Sequence, residues 1–226
     1  MRKITTIFAA AALVLAALFG GKPAAATTIS NQSSWDGSTF IWSFGAPDTT
    51  SYGEIFRAAG TTLDSFSFLI STMGNVGNAK FVLAAWDGTK ATGPALYESS
   101  PFALNASGTY EWNAVNGINA ALTIGARYIA YLTTAGVADP IVATRWAAAN
   151  DNGGLGGAFA FANSDGADPL VSLASWTVRW SSSDVIYEAS FSGVAEAPLP
   201  AALPLFASAL GGLGVAAWRR RRPARM

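Results

Sequence analysis

The 226 residues include no histidine and no cysteine, so any chemistry must run on carboxylates, hydroxyls, lysine or arginine. That absence removes the Ser-His-Asp triad, the thiolate nucleophile and metal sites built on imidazole or sulfur. Carboxylates are therefore the first candidates. Glu54, Glu98, Glu111 and Glu188 lie in or beside segments patterned as strands, and two carboxylates facing each other at the right separation hydrolyse glycosides. No spacing motif pairs them, and solvated outward positions or strand ends account for each more simply.

Hard oxygen ligands come next. Asn150, Asp151 and Asn152 sit in one glycine-rich stretch, and Asp165 and Asp168 in another, which is donor chemistry suited to a structural calcium ion. Neither stretch matches an EF-hand loop or a glycine-rich nonapeptide repeat, and Asp/Asn/Gly clusters are turn formers first. No other cofactor is indicated. The run Gly153-Gly154-Leu155-Gly156-Gly157 lacks the preceding strand, following helix and lysine of a phosphate cradle.

Aromatic side chains are the third group. Residues 27–193 hold seven tryptophans, six tyrosines and ten phenylalanines. Trp176 and Trp180 share one face of an expected strand, with Thr177 and Arg179 on the other. If that face is open, the two rings offer flat surfaces on which sugars stack; if it is closed, they are core.

The elements that must position these groups read as β throughout. Phe66, Phe68 and Ile70 alternate with Ser65, Ser67 and Leu69, the period of a half-buried strand. Lys80–Trp86, Arg127–Thr133, Ile141–Trp146, Ser175–Trp180 and Val185–Phe191 are further strand segments. Turn residues separate them at Gly45-Ala46-Pro47-Asp48, Asp87-Gly88, Gly93-Pro94, Asn116-Gly117 and Asp165-Gly166. Short strands at this density predict an all-β, antiparallel two-sheet sandwich of jelly-roll-like form. Ala147–Gly157 is expected as a long surface loop able to carry specificity.

The two ends read as addresses. Met1-Arg2-Lys3, an apolar run to Phe19, and Gly20-Gly21-Lys22-Pro23-Ala24-Ala25-Ala26 form a signal peptide over residues 1–26. At the other end, Ala201–Trp218 is apolar enough for a transmembrane helix, and Arg219, Arg220, Arg221 and Arg222 hold its end on the cytoplasmic side. Physics alone leaves a permanent anchor and a removable sorting tail equally open.

The tail at 194–226 resembles the bacterial PEP-CTERM class of sorting signals in its VPLPA-CTERM variant. Pro198, Leu199, Pro200 and Ala201 carry the motif, followed by Leu203-Pro204-Leu205, a glycine-rich apolar stretch and the arginine cluster; Ala197 stands where the variant has valine. The resemblance implies a Gram-negative exported protein, tethered to the inner membrane until an exosortase-type membrane protease handles it. It also implies a setting among exopolysaccharides. More loosely, residues 55–135 are similar to a β-sandwich domain of exported bacterial proteins with no assigned activity.

With the ends set aside, residues 27–193 hold six basic against thirteen acidic residues, a net of −7. Such a domain is not a nucleic-acid binder. The expected function is a non-enzymatic structural or adhesive role in the envelope or extracellular matrix, with extracellular polysaccharide as a partner. The alternatives are a carbohydrate-binding module and a carboxylate-based glycoside hydrolase.

Overall fold

The computed structural model describes residues 26–46, 48–150, 156–163, 166–172, 175–179 and 183–193. The expected signal peptide up to Ala25, the tail from Val194, and Asp151, Asp165 and Trp180 lie outside the described residues.

Among the described residues the strands form two seven-stranded antiparallel sheets. The first sheet contains β1 (Thr27–Ser30), β2 (Phe40–Phe44), β4 (Thr62–Ser71), β8 (Glu111–Ala121), β10 (Thr144–Ala149), β13 (Asp184–Val185) and β14 (Tyr187–Ser192). The second contains β3 (Ser51–Arg57), β5 (Asn78–Trp86), β6 (Ala91–Glu98), β7 (Phe102–Ala103), β9 (Arg127–Thr133), β11 (Ala158–Ala162) and β12 (Thr177–Arg179). One short helix, α1 (Pro169–Ser172), follows β11. No helix of the described residues is long and apolar enough to cross a membrane. Eight of the thirteen connections between successive strands pass from one sheet to the other, and β2-β10-β4-β8 opposes β3-β9-β5-β6.

Alternation explains the faces. Phe66, Phe68 and Ile70 of β4 point inward with Phe44, Phe56, Phe81, Trp146 and Phe191, forming the core between the sheets. Ser65 and Ser67 take the opposite face, and Leu69 joins Trp35, Tyr110 and Trp112 in a small cluster on the outside of the first sheet. The second sheet is buried on both faces. Its outer side carries Ile55, Val82, Ile129 and Tyr131 beneath Trp86, Trp176 and the Leu170 side chain of α1. That double burial is why β5 and β9 read as continuous apolar runs rather than alternating ones.

Three expectations shift. β10 begins at Thr144 rather than Ile141 and runs on through Ala147–Ala149, so the first three residues of the expected 147–157 loop are buried strand. Alanine has a weak strand preference, which hid the extension, but its small side chain fits where β2, β13 and Ile186 crowd this strand. Of the expected strand 175–180, Thr177–Arg179 forms β12, while Ser175 and Trp176 precede it. The segment 185–191 breaks at Ile186, where the Asn31 side chain donates to the Val185 carbonyl at 2.9 Å and accepts the Tyr187 N–H at 2.9 Å.

Candidate functional site

Two neighbourhoods gather polar or aromatic groups in a way that packing alone does not demand. One is an aromatic platform at the edge of the first sheet. Phe40 and Trp42 are two apart on β2, so both leave the same face while Ile41 between them packs on the core. β2 pairs antiparallel with β10 in a register that places Trp42 opposite Arg145, with a bulge between Thr144 and Arg145. Trp146 enters the core, and Arg145 therefore points out onto the rings. Its guanidinium carbon lies 4.7 Å from the Phe40 centroid and 4.7 Å from that of Trp42, within cation–π range of both. The rings are 6.3 Å apart and tilted by 56°. They remain open, Phe40 at 42% and Trp42 at 49% exposure.

Beside this platform the edges of the two sheets diverge into a cleft of about 450 Å³, lined among others by Phe40, Trp42, Tyr52, Phe161, Asp48 and Arg179. Gly45 ends β2 with a positive φ of 116°, and a Cβ there would lie 2.5 Å from the Ile141 carbonyl oxygen. Only glycine lets the chain turn so closely toward Asp48. The Ser43 hydroxyl donates to Asp48 Oδ2. Across the cleft the Tyr52 hydroxyl donates to the Trp42 carbonyl at 3.0 Å, tying the sheets together. Burial, reinforced by the charge of Asp48, pushes the Tyr52 phenol up to about 12, so it remains a neutral donor near neutral pH.

The second neighbourhood is sealed. Glu54 falls between Tyr52 and Phe56 on the inner face of β3 and is fully buried. The Val185 N–H donates to its Oε2 at 3.3 Å, and it shares a hydrogen bond with the buried Asp184 carboxyl. Burial first, then the charge of Asp184, holds the Glu54 carboxyl well above the usual range, against the opposing pull of the Val185 N–H. Burial and these two acids also raise the neighbouring Tyr187 phenol. Gly157 must be glycine here, because a Cβ would lie 2.5 Å from Glu54 Oε1.

Two other acids meet at a lysine. Glu98 and Asp168 both accept from Lys80 Nζ, at 2.6 and 3.3 Å. Burial opposes the charge on Lys80, but hydrogen bonds to Glu98 and Asp168 outweigh it and leave its pKa raised. Asp168, a calcium candidate by sequence, also accepts the Leu170 N–H at 2.9 Å and the Tyr131 hydroxyl at 3.4 Å. It thereby fixes α1 over the second sheet. Among the described residues no group of three or more acids gathers into a metal site. Glu188 is exposed on β14, and Glu111 lies at the start of β8. Trp176 takes the closed alternative: it is 8% exposed and meets Trp86 and Tyr131 edge-on at 6.1 and 5.2 Å.

Sequence reasoning singled out neither Phe40, Trp42 nor Arg145. The two-residue spacing of Phe40 and Trp42 was a readable signal. Their pairing with an arginine a hundred positions away was not. Comparison with protein-family models, curated proteins and solved structures finds no match for this chain.

Proposed function

We propose that this chain is an exported, non-enzymatic β-sandwich that holds carbohydrate at the Phe40–Arg145–Trp42 platform and its adjoining cleft. It acts as an adhesive or matrix-binding module of a Gram-negative envelope. The observation that carries the reading is the pair of half-exposed rings, fixed in place by a shared guanidinium, at the lip of a cleft with polar walls. Sugar-binding surfaces need this combination, an apolar ring face for the pyranose and polar groups for its hydroxyls.

The order β2-β10-β4-β8 against β3-β9-β5-β6 is that of a jelly roll, and we read the domain so. Delivery follows the ends of the sequence: a signal peptide over 1–26 and a PEP-CTERM-like tail over 194–226 presented to an exosortase-type membrane protease. The non-enzymatic reading is supported by the placement of the acids. Among the described residues, Glu54 and Asp184 are enclosed between the sheets, where no glycoside reaches them, and Glu98 and Asp168 are both tied to Lys80.

Affinity electrophoresis of the protein through gels containing soluble polysaccharides tests the binding reading. Retardation by at least one polysaccharide, lost in Trp42→Ala, is expected; retardation unchanged by Trp42→Ala and Phe40→Ala refutes this site. For delivery, mass spectrometry of the exported protein should find a C-terminus near Ala197. Retention of Arg225 would mean a permanent anchor.

A further inference from the structure

We propose that the saccharide held at the platform is acidic, with sugar units bearing carboxylate groups, and that Arg145 is the residue that reads the carboxylate. The inference rests on the carbohydrate reading of this same site and adds its charge.

The geometry begins with how Arg145 is used. The Phe40 and Trp42 rings both approach its guanidinium carbon at 4.7 Å. Rings engage a guanidinium through its flat face, which leaves the in-plane N–H donors for another partner. Those donors are underused: Arg145 makes no hydrogen bond or ion pair among the described residues, Nε is buried, and the half-buried side chain leaves its terminal amines for a ligand. Among the described residues the carboxylates in ion-pair contact with a cation are Glu98 and Asp168, and both go to Lys80. A charged donor held with nothing to donate to is unfavourable unless something else supplies the acceptor.

Composition sharpens this. The domain carries only six basic residues against thirteen acidic ones, yet two of the six, Arg145 and Arg179, stand at this platform and its cleft. The acid on the cleft wall, Asp48, accepts the Ser43 hydroxyl and lies beside Tyr52 rather than on the rings. An isolated positive site on a negative domain selects an anion by local complementarity, while the surrounding field resists indiscriminate polyanion binding. The planar guanidinium edge matches a carboxylate in bidentate fashion. On a uronic acid the carboxylate is attached to the same ring that would stack on Trp42, so ring and charge are read within one sugar unit. A neutral sugar would cover the Arg145 edge without pairing it, and the site would discriminate against it for that reason.

The test uses the full chain in mild detergent and three probes: polygalacturonate, dextran sulfate and dextran. Expected is binding to polygalacturonate that weakens with added salt, with dextran bound much less. Arg145→Gln should lose about tenfold to a hundredfold of polygalacturonate affinity, and Arg145→Lys should recover only part of it. Arg179→Gln changes an exposed side chain, so a severalfold loss there, with the urea midpoint of that variant at the parent's value, supports the assignment independently of any folding defect in Arg145→Gln. Dextran bound as tightly as polygalacturonate, with Arg145→Gln unchanged and Trp42→Ala inactive, overturns the acidic ligand and leaves the carbohydrate site standing. Dextran sulfate bound tightest, with little dependence on Arg145, means diffuse charge and also overturns the proposal. No binding to any probe, with Trp42→Ala indistinguishable from the parent on every polysaccharide tried, removes both readings.

Discussion

The two outer faces of the sandwich are built from similar parts and put to opposite use. Each carries both aromatic rings and a cation. On the second sheet Trp86 and Trp176 are 6% and 8% exposed, α1 lies over them, and Lys80 is tied to Glu98 and Asp168. On the first sheet the Phe40 and Trp42 rings stay open and Arg145 has no carboxylate partner among the described residues. The first arrangement is a satellite core with its charges neutralised. The second leaves apolar area and an unpaired cation together at the surface, which folding alone does not favour. What separates packing from a binding site here is not the kind of residue but whether cover and counter-charge are supplied from within the chain.

That contrast is most exposed to refutation at Trp176. Its replacement by alanine empties the space beneath α1 and should cost about 3–5 kcal/mol of stability, read as a lower urea midpoint. Polysaccharide binding per folded molecule should be unchanged. A Trp176→Ala protein of parental stability that fails to bind would reverse the roles of the two faces.

The interior shared by both faces provides a pH control. Glu54 has its pKa raised well above 4.5 in the folded protein, so above that pH the native state binds more protons than the unfolded chain. Stability therefore falls as pH rises from about 4.5 through the raised value, and levels off beyond it. Asp36 and Asp87 are shifted downward by backbone and side-chain hydrogen bonds, so their contribution is lost only in more acidic solution. Denaturation from pH 5 to pH 8 should show the decline in the parent, and Glu54→Gln should flatten it. A decline of equal slope in Glu54→Gln would place the titrating group elsewhere, and a change in binding with Glu54→Gln would mean that the interior and the platform are coupled.

Much of the frame was legible because it rests on local pattern. The period of two in Ser65–Ile70 assigned both faces of β4 correctly, and β9 matches its expected span. Glu54 was not legible as a buried residue. Its strand, Ser51–Arg57, is covered on both sides, so alternation carries no inside–outside information, and the acid whose charge raises its pKa is 130 positions away. Trp176 was ambiguous for a related reason: sequence places it on one face of a strand but does not show that Trp86 and Tyr131 wait there. The platform failed at the same link. Local spacing puts Phe40 and Trp42 together, whereas the cation between them arrives only through the β2–β10 register.

Lys80 tests the neutralised half of the comparison. Lys80→Met keeps the aliphatic stem but strands Asp168 and Glu98. A loss of about 1–2 kcal/mol is expected, near the low end for charged hydrogen bonds because Glu98 is partly exposed. If Lys80→Met costs nothing at neutral pH, pairing is not what holds α1 down, and burial of Leu170 against the satellite core is left to do so.

The smallest stability effect belongs to the residue with the largest expected functional one. Trp42 is 49% exposed, and the cross-cleft hydrogen bond from Tyr52 goes to its backbone carbonyl rather than its ring. Trp42→Ala should therefore leave stability within about 0.5 kcal/mol of the parent. The same change removes the open ring on which a sugar would lie, and should weaken polysaccharide binding by about 2 kcal/mol or more. Phe40→Ala should follow with a smaller loss, since Arg145 keeps its second ring. The informative quantity is the ratio of the two effects. At Trp176 stability falls while binding survives, and at Trp42 the order inverts. If instead Trp42→Ala unfolds the domain as Trp176→Ala does, its ring is a structural lid on the edge of the core, and the asymmetry between the two faces disappears.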